Sequence, residues 1–193
     1  MSDTAGIGNF NESRRYTYAD YLEWEGPERY QIFSGEVFQM ASPSVEHQAI
    51  LGDVFSQFYN WLKGKTCRVF TAPIDVRLFP KKDKSDNTVV QPDMLVVCDE
   101  NKIDKGSING APDMVIEIVS SSNTHNELFL KFQYYMKAGV REYWVIDPNR
   151  KNVQVHLYED GHYITTLHEN DTHIPVTILP GLLIAMNDLW NRI

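Results

Sequence analysis

After Ser42-Pro43-Ser44, apolar side chains recur at intervals of three and four: Ile50, Leu51, Val54, Phe55, Phe58, Trp61 and Leu62. That spacing predicts an amphipathic helix capped by Ser44, with one broad stripe turned toward a core. Residues 30–40 alternate imperfectly around Ser34-Gly35 and predict a hairpin, with Glu36 just past its turn. Residues 68–79 read as a strand interrupted by Pro73, and residues 89–98 and 114–119 as two short β-branched runs of the kind found in central strands. Residues 126–138, closed by Gly139, predict a second long helix that returns the chain to a strand at 142–146. A hairpin around Asp160-Gly161 follows, then an apolar patch at 178–184 and a last helix around 187–190. Near the amino terminus Thr17 caps a short helix running to Trp24, and residues 1–15 are polar and flexible. The order of elements predicts one α/β (α+β) domain over residues 16–193, a mixed β-sheet flanked by helices.

One position breaks the pattern. Glu117 stands inside Met114, Val115, Ile116, Ile118 and Val119, where an isolated carboxylate is costly unless it is paired, protonated, metal-bound or at the lip of a cleft. Period two puts Glu117 on the side shared by Val115 and Val119. In the preceding run, Asp93 follows Pro92 and shares its side with Gln91, Leu95 and Val97. Proline supplies no ladder hydrogen bond and marks a strand start, edge or bulge. If the two strands are neighbours, Asp93 and Glu117 meet at one end of the sheet. Their mutual repulsion becomes favourable around a hard divalent cation, Mg2+ or alternatively Mn2+, which leaves positions for water and phosphate oxygens. Such a set suits phosphodiester hydrolysis. Lys131, on the helix after the Glu117 strand, is the candidate cation for orienting the nucleophile or balancing charge on phosphorus. Glu127, four residues earlier on the same face, is an auxiliary acid that either pairs with Lys131 or points toward metal-bound water. Gln91 could hydrogen-bond a metal water or a phosphate.

The chain of 193 residues carries 26 acidic and 18 basic side chains, a net charge of -8, which argues against unspecific coating of nucleic acid or anionic membrane. Locally the balance reverses: residues 61–84 hold Lys63, Lys65, Arg68, Arg77, Lys81, Lys82 and Lys84 against Asp75 and Asp83. This stretch is either a mobile solvated loop or a phosphate-contacting surface, the latter giving Lys81 and Lys82 a substrate-binding role. Cys67 and Cys98 lack CxxC spacing and are expected as buried free thiols. No positively charged start with an apolar run and no stretch of membrane-spanning length occurs, so a cytoplasmic location with no membrane contact follows by elimination.

Asp93 in VVQPDMLVVCD, Glu117 in GAPDMVIEIVS, Lys131 in NELFLKFQYYMKAG and the run VREYWVIDP together resemble the Uma-type family of restriction-endonuclease-like proteins, within the PD-(D/E)xK nuclease superfamily. The likeness extends from YTYADYLEW near residue 16 to the Tyr158 region, and Gly35-Glu36 and PSVEHQ match the amino-terminal signature. The resemblance implies a restriction-endonuclease-like core with a divalent metal at the acidic cluster, Asp93 and Glu117 as ligands, and DNA as substrate. The ExK pattern would place lysine at Val119; Lys131 would have to replace it from the neighbouring helix. Glu127 stands where relatives commonly have aspartate. Under this reading Glu36 extends the acidic shell as a further metal ligand, and His47 binds phosphate, shuttles a proton or orients Glu36. Without it, Glu36 is an exposed turn residue and His47 a packing residue of the capped turn.

No HExxH, GxSxG or GxxxxGK[ST] motif occurs. Tyr134, Tyr135, Tyr143 and Trp144 have core spacing more than that of a base-stacking surface. The expectation is therefore a metal-dependent DNA endonuclease. A catalytically inactive nucleic-acid or protein binding module of the same fold, and a hydrolase of smaller phosphoesters, are the alternatives. A homodimer would let two sites address two strands.

Overall fold

The structure is a computed structural model that describes residues 10–120, 125–169, 171–186 and 189–190. Thr17 opens α1 (Tyr18–Tyr21) through a reciprocal capping box, in which its own N–H donates to the Asp20 carboxylate at 2.8 Å. The helix ends at one turn with Leu22 as its C-cap, short of Trp24, whose ring packs against those of Phe10, Tyr16, Tyr21 and Tyr30. β1 (Tyr30–Phe33) and β2 (Glu36–Gln39) form the expected hairpin. Ser34 and Gly35 take φ of 49° and 83°, the pair of left-handed residues that a two-residue hairpin turn uses.

α2 (Val45–Leu62) begins where the Ser44 hydroxyl accepts from the His47 N–H at 3.1 Å, and it buries Ile50, Leu51, Val54, Phe58 and Leu62. Six short strands follow: β3 (Arg68–Thr71), β4 (Asp75–Arg77), β5 (Val89–Val90), β6 (Met94–Val97), β7 (Ser107–Asn109) and β8 (Met114–Ile118). α3 (His125–Ala138) then crosses back to β9 (Glu142–Asp147), which runs parallel to β8. β10 (Asn152–Glu159) and β11 (His162–Glu169) form the second hairpin, and β12 (His173–Pro175) pairs with β13 (Leu183–Ala185).

Apart from the two-stranded β12-β13 sheet, the described strands divide between a mixed six-stranded sheet, β11-β10-β9-β8-β6-β3, and a five-stranded one, β2-β1-β5-β4-β7. The larger sheet, mixed and flanked by α2 and α3, matches the expected fold class, and the smaller sheet is added to it. The apolar runs 68–79 and 89–98 each pass from one sheet to the other at their prolines: β3 pairs β6 in the larger sheet, and β4 pairs β5 in the smaller. Proline cannot continue the donor ladder, so Pro73 and Pro92 fall where the ribbon leaves one sheet for the next.

One face of the larger sheet presents Met94, Val96, Met114, Ile116, Trp144 and Ile146 to α2 and to the carboxy-terminal strands. The other presents Leu95, Val115, Tyr143 and Val145 to α3 and the smaller sheet. Glu117 belongs to this second face and is buried.

Cys67 and Cys98 correct another expectation. They are joined as a disulfide, neither fully buried, with Cα atoms 3.9 Å apart, because they lie one step beyond the antiparallel Arg68↔Val97 pair. Among the described residues no helix is long and apolar enough to cross a membrane. Residues 1–9 of the expected amino-terminal segment and residues 187–188 of the expected last helix lie outside the described residues.

Candidate active site

The site forms where the ribbon bends. Antiparallel pairing of β6 with β8 places Asp93 one step beyond the Met94↔Ile116 pair, opposite Glu117. Asp93 Oδ2 accepts the Ile118 N–H at 2.8 Å and faces His47 Nε2 at 3.0 Å. His47 is delivered by the first turn of α2, whose cap holds its backbone, and its buried Nδ1 has no partner among the described residues. With Nε2 against the carboxylate, His47 orients Asp93.

Glu117 is held from both oxygens. Lys131 Nζ donates to Oε2 at 2.8 Å and the Tyr135 hydroxyl donates to Oε1 at 2.7 Å. Both donors come from one face of α3, four residues apart, as does Glu127, whose Oε1 lies 3.8 Å from Lys131 Nζ. Gln31 on β1 donates to the same Glu127 oxygen at 3.3 Å and accepts the Gln91 N–H through its own carbonyl, tying α3 to the smaller sheet.

Burial pushes the Glu117 carboxyl up to about 7; Lys131 pulls it down and the negative charge of Asp93 pushes it further up. Burial alone would lower the Lys131 ammonium, but the carboxylates of Glu117, Asp93 and Glu127 outweigh it and the net direction is upward. Glu117 is therefore the member of the pair that takes up a proton, while Lys131 keeps its charge. Tyr135, raised well above its ordinary value by burial and then by Glu117, remains a hydroxyl donor.

Asp93, Glu117, Lys131, His47 and Glu127 line one cavity of about 120 Å³, together with Arg29, Gln39 and Gln48 at its mouth. A larger cavity of about 640 Å³ lies between α3 and β9 to β11, with Phe129, Phe132, Val145 and His156 in its wall. Val119, the position where the ExK pattern has lysine, faces that larger cavity. Neither Asp93 nor Glu117 lines the larger space, whose acid is Asp147 beside Arg150, so the smaller one holds the candidate chemistry. Among the described residues no three His, Cys, Asp or Glu side chains are grouped to hold a metal ion. Two opposed carboxylates nonetheless suit a hard cation such as Mg2+, which takes one or two carboxylates and retains several waters.

Four expected site residues stand elsewhere. Glu36 is exposed at the turn end of the hairpin, where its Oε1 pairs with Arg15 at 2.9 Å, away from the open end that carries Gln39 to the cavity. It therefore adds nothing to the acidic shell, and His47 orients Asp93 instead. Gln91 does not share a face with Asp93, because the bend at Pro92 interrupts period two; its amide donates to Asp75 at 2.9 Å and to Tyr21 at 3.0 Å. Lys81 and Lys82 are exposed on the loop that Asp86 fastens to Arg77, and that loop meets the hairpin turn through the Gly35 N–H and Asn87 carbonyl at 2.8 Å. This is the opposite end of the hairpin from the cavity. The sequence pattern does not mark Arg29 or Gln31 for this cavity, and it marks Tyr135 for packing alone. Tyr135 alone left a trace, the four-residue spacing Glu127, Lys131, Tyr135 along one helical face.

Residues 18–187 match the family Uma2, described as "Putative restriction endonuclease". An uncharacterized protein of Synechocystis sp. (strain ATCC 27184 / PCC 6803 / Kazusa) is 23% identical over 177 residues, covering 89% of each chain. The solved structure of a "putative nuclease belonging to DUF820" from Anabaena variabilis ATCC 29413 superposes with a TM-score of 0.74 at 22% identity, over 91% of this chain and 98% of that one. The match over most of its length, on a shared fold, makes this chain a member of the Uma2 family of restriction-endonuclease-like proteins.

Proposed function

We propose that the protein is a divalent-metal-dependent endonuclease that hydrolyses phosphodiester bonds in DNA. The observation that carries this reading is the meeting of Asp93 and Glu117 across adjacent strands, with Lys131 Nζ 2.8 Å from Glu117. Asp93 and Glu117 would hold Mg2+ or Mn2+. When bound, such a cation supplies a more acidic water and neutralises charge developing on phosphate oxygens.

The chain's own groups prepare the site. His47 and the Ile118 N–H fix the direction of the Asp93 carboxylate. Tyr135 fixes Glu117 and, as a donor, favours its ionised form, the form a cation needs. Lys131 keeps its positive charge beside the place where a phosphate would sit, standing in from α3 for the lysine absent at Val119. Glu127 and Gln31 hold α3 in register with the acids.

The test is cleavage of plasmid and single-stranded DNA by the full chain with and without Mg2+ or Mn2+. Asp93→Asn, Glu117→Gln and Lys131→Ala are each expected to lower the rate by about 100-fold or more. Unchanged cleavage in all three rejects the assignment. The second reading, a binding module that has kept the fold, draws on the full occupation of both Glu117 oxygens by Lys131 and Tyr135. DNA binding that ignores metal, with no cleavage of duplex, branched or single-stranded substrates, would favour it.

A further inference from the structure

A lysine and an arginine line the cavity among the described residues, and they are differently placed. Lys131 is already answered by Glu117 at 2.8 Å. Arg29 is half-buried at the mouth and forms no ion pair with a described residue. Its backbone is fixed: the Arg29 carbonyl accepts the Met40 N–H at 2.8 Å, which extends the β1-β2 ladder by one rung and sets the residue at the open end of the hairpin.

A guanidinium does not shed its proton, so partial burial without a counter-charge carries a desolvation cost that an arriving anion would offset. The acids of the cavity are engaged, Asp93 by His47 and the Ile118 N–H, Glu117 by Lys131 and Tyr135, and Glu127 by Gln31 and Lys131. The planar donor fork of arginine matches two phosphate oxygens at once. Gln39 and Gln48, exposed at the same mouth, add neutral amide donors.

We propose that Arg29 is the phosphate-binding arm of this site: it takes the non-bridging oxygens of a DNA backbone phosphate at the cavity mouth, with Gln39 and Gln48 beside it. This deepens the nuclease reading and rests on it for the identity of the ligand. It also moves the phosphate contact from Lys81 and Lys82 to the other end of the hairpin.

The test is fluorescence anisotropy of labelled single-stranded and duplex oligonucleotides with the full chain in chelator, followed by cleavage kinetics in Mg2+. Arg29→Ala should weaken binding about tenfold for every sequence and lower the slope of log affinity against log salt by about one. Arg29→Lys should keep the salt slope while losing part of the affinity, which separates a charge contact from a folding defect. In cleavage, KM should rise more than kcat falls. Unaltered affinity and slope in Arg29→Ala overturn the proposal, and leave the nuclease reading standing if the parent protein cleaves. Weakened binding in Arg29→Ala with no cleavage by the parent supports the phosphate contact and rejects the nuclease reading. No binding of either oligonucleotide by the parent overturns the Arg29 proposal, and with no cleavage in Mg2+ it overturns the nuclease reading as well.

Discussion

Tyr135 is a core residue by its burial and a site residue by its hydroxyl. Its ring meets Tyr143 at 5.1 Å while its oxygen donates to Glu117 at 2.7 Å. The sequence carries the first role, because an aromatic at helical spacing reads as packing. The second depends on Glu117 standing on the facing strand, which no local pattern states. Tyr135→Phe keeps the ring and removes a donor that lowers the Glu117 pKa, so that pKa should rise above about 7. The expected outcome is a pH profile of cleavage whose acid limb moves to higher pH, with a stability loss of about 1 kcal/mol in denaturant titration. An acid limb that stays in place would separate Tyr135 from the ionisation of Glu117. The carboxylate itself was legible, since a glutamate inside an apolar run demands a partner. Arg29 was not, because a lone arginine ahead of a strand looks like any solvated cation until the cavity is known.

Elements were legible in proportion to their length. α2 and α3 follow the three-and-four spacing, and the hairpin at Ser34-Gly35 follows from a turn that needs two left-handed residues. What the pattern hid was the passage of one ribbon between two sheets, because an apolar strand reads the same whichever sheet receives it. Period two puts Gln91 and Asp93 on one face for that reason, and the bend at Pro92 separates them. The disulfide was hidden similarly: its cysteines are 31 residues apart in sequence and become neighbours only through the β3-β6 register. At this scale α2 does more than cover the sheet. Its cap positions the backbone of His47, and the His47 ring in turn meets Asp93. Ser44→Ala should therefore lower stability by about 1 kcal/mol, typical for a lost N-cap, and also reduce cleavage by loosening the first turn. Ser44→Asp, which restores a capping acceptor, should recover both in thermal melts and in cleavage assays. Recovery of stability without activity would mean that the cap serves the fold alone.

For the whole molecule, the burial of Glu117 sets a tension between folding and the cation binding proposed for it. Burial raises the Glu117 carboxyl from 4.5 to about 7, so between those values the folded chain keeps a proton that the unfolded chain has released. Stability attributable to this group thus falls as pH rises through that window and levels off above it. His156 works in the other direction: burial lowers it to about 4, so the unfolded chain binds its proton first and stability rises with pH between about 4 and 6.5. The comparison that isolates Glu117 is the parent against Glu117→Gln, whose amide does not titrate. Without metal, the parent should lose stability relative to this variant as pH rises from about 4.5 to about 7, measured by denaturant titration. A cation at roughly one hundred times its Kd should add about 2.7 kcal/mol, and only where Glu117 is ionised. The rise in Tm on adding Mg2+ should therefore be larger at about pH 8 than at about pH 5, and absent in Glu117→Gln combined with Asp93→Asn. An equal Mg2+ effect at both pH values, or in the double variant, would place the cation somewhere other than between these two strands. The burial that makes Glu117 costly to the fold in the absence of metal is what a cation at this position would relieve.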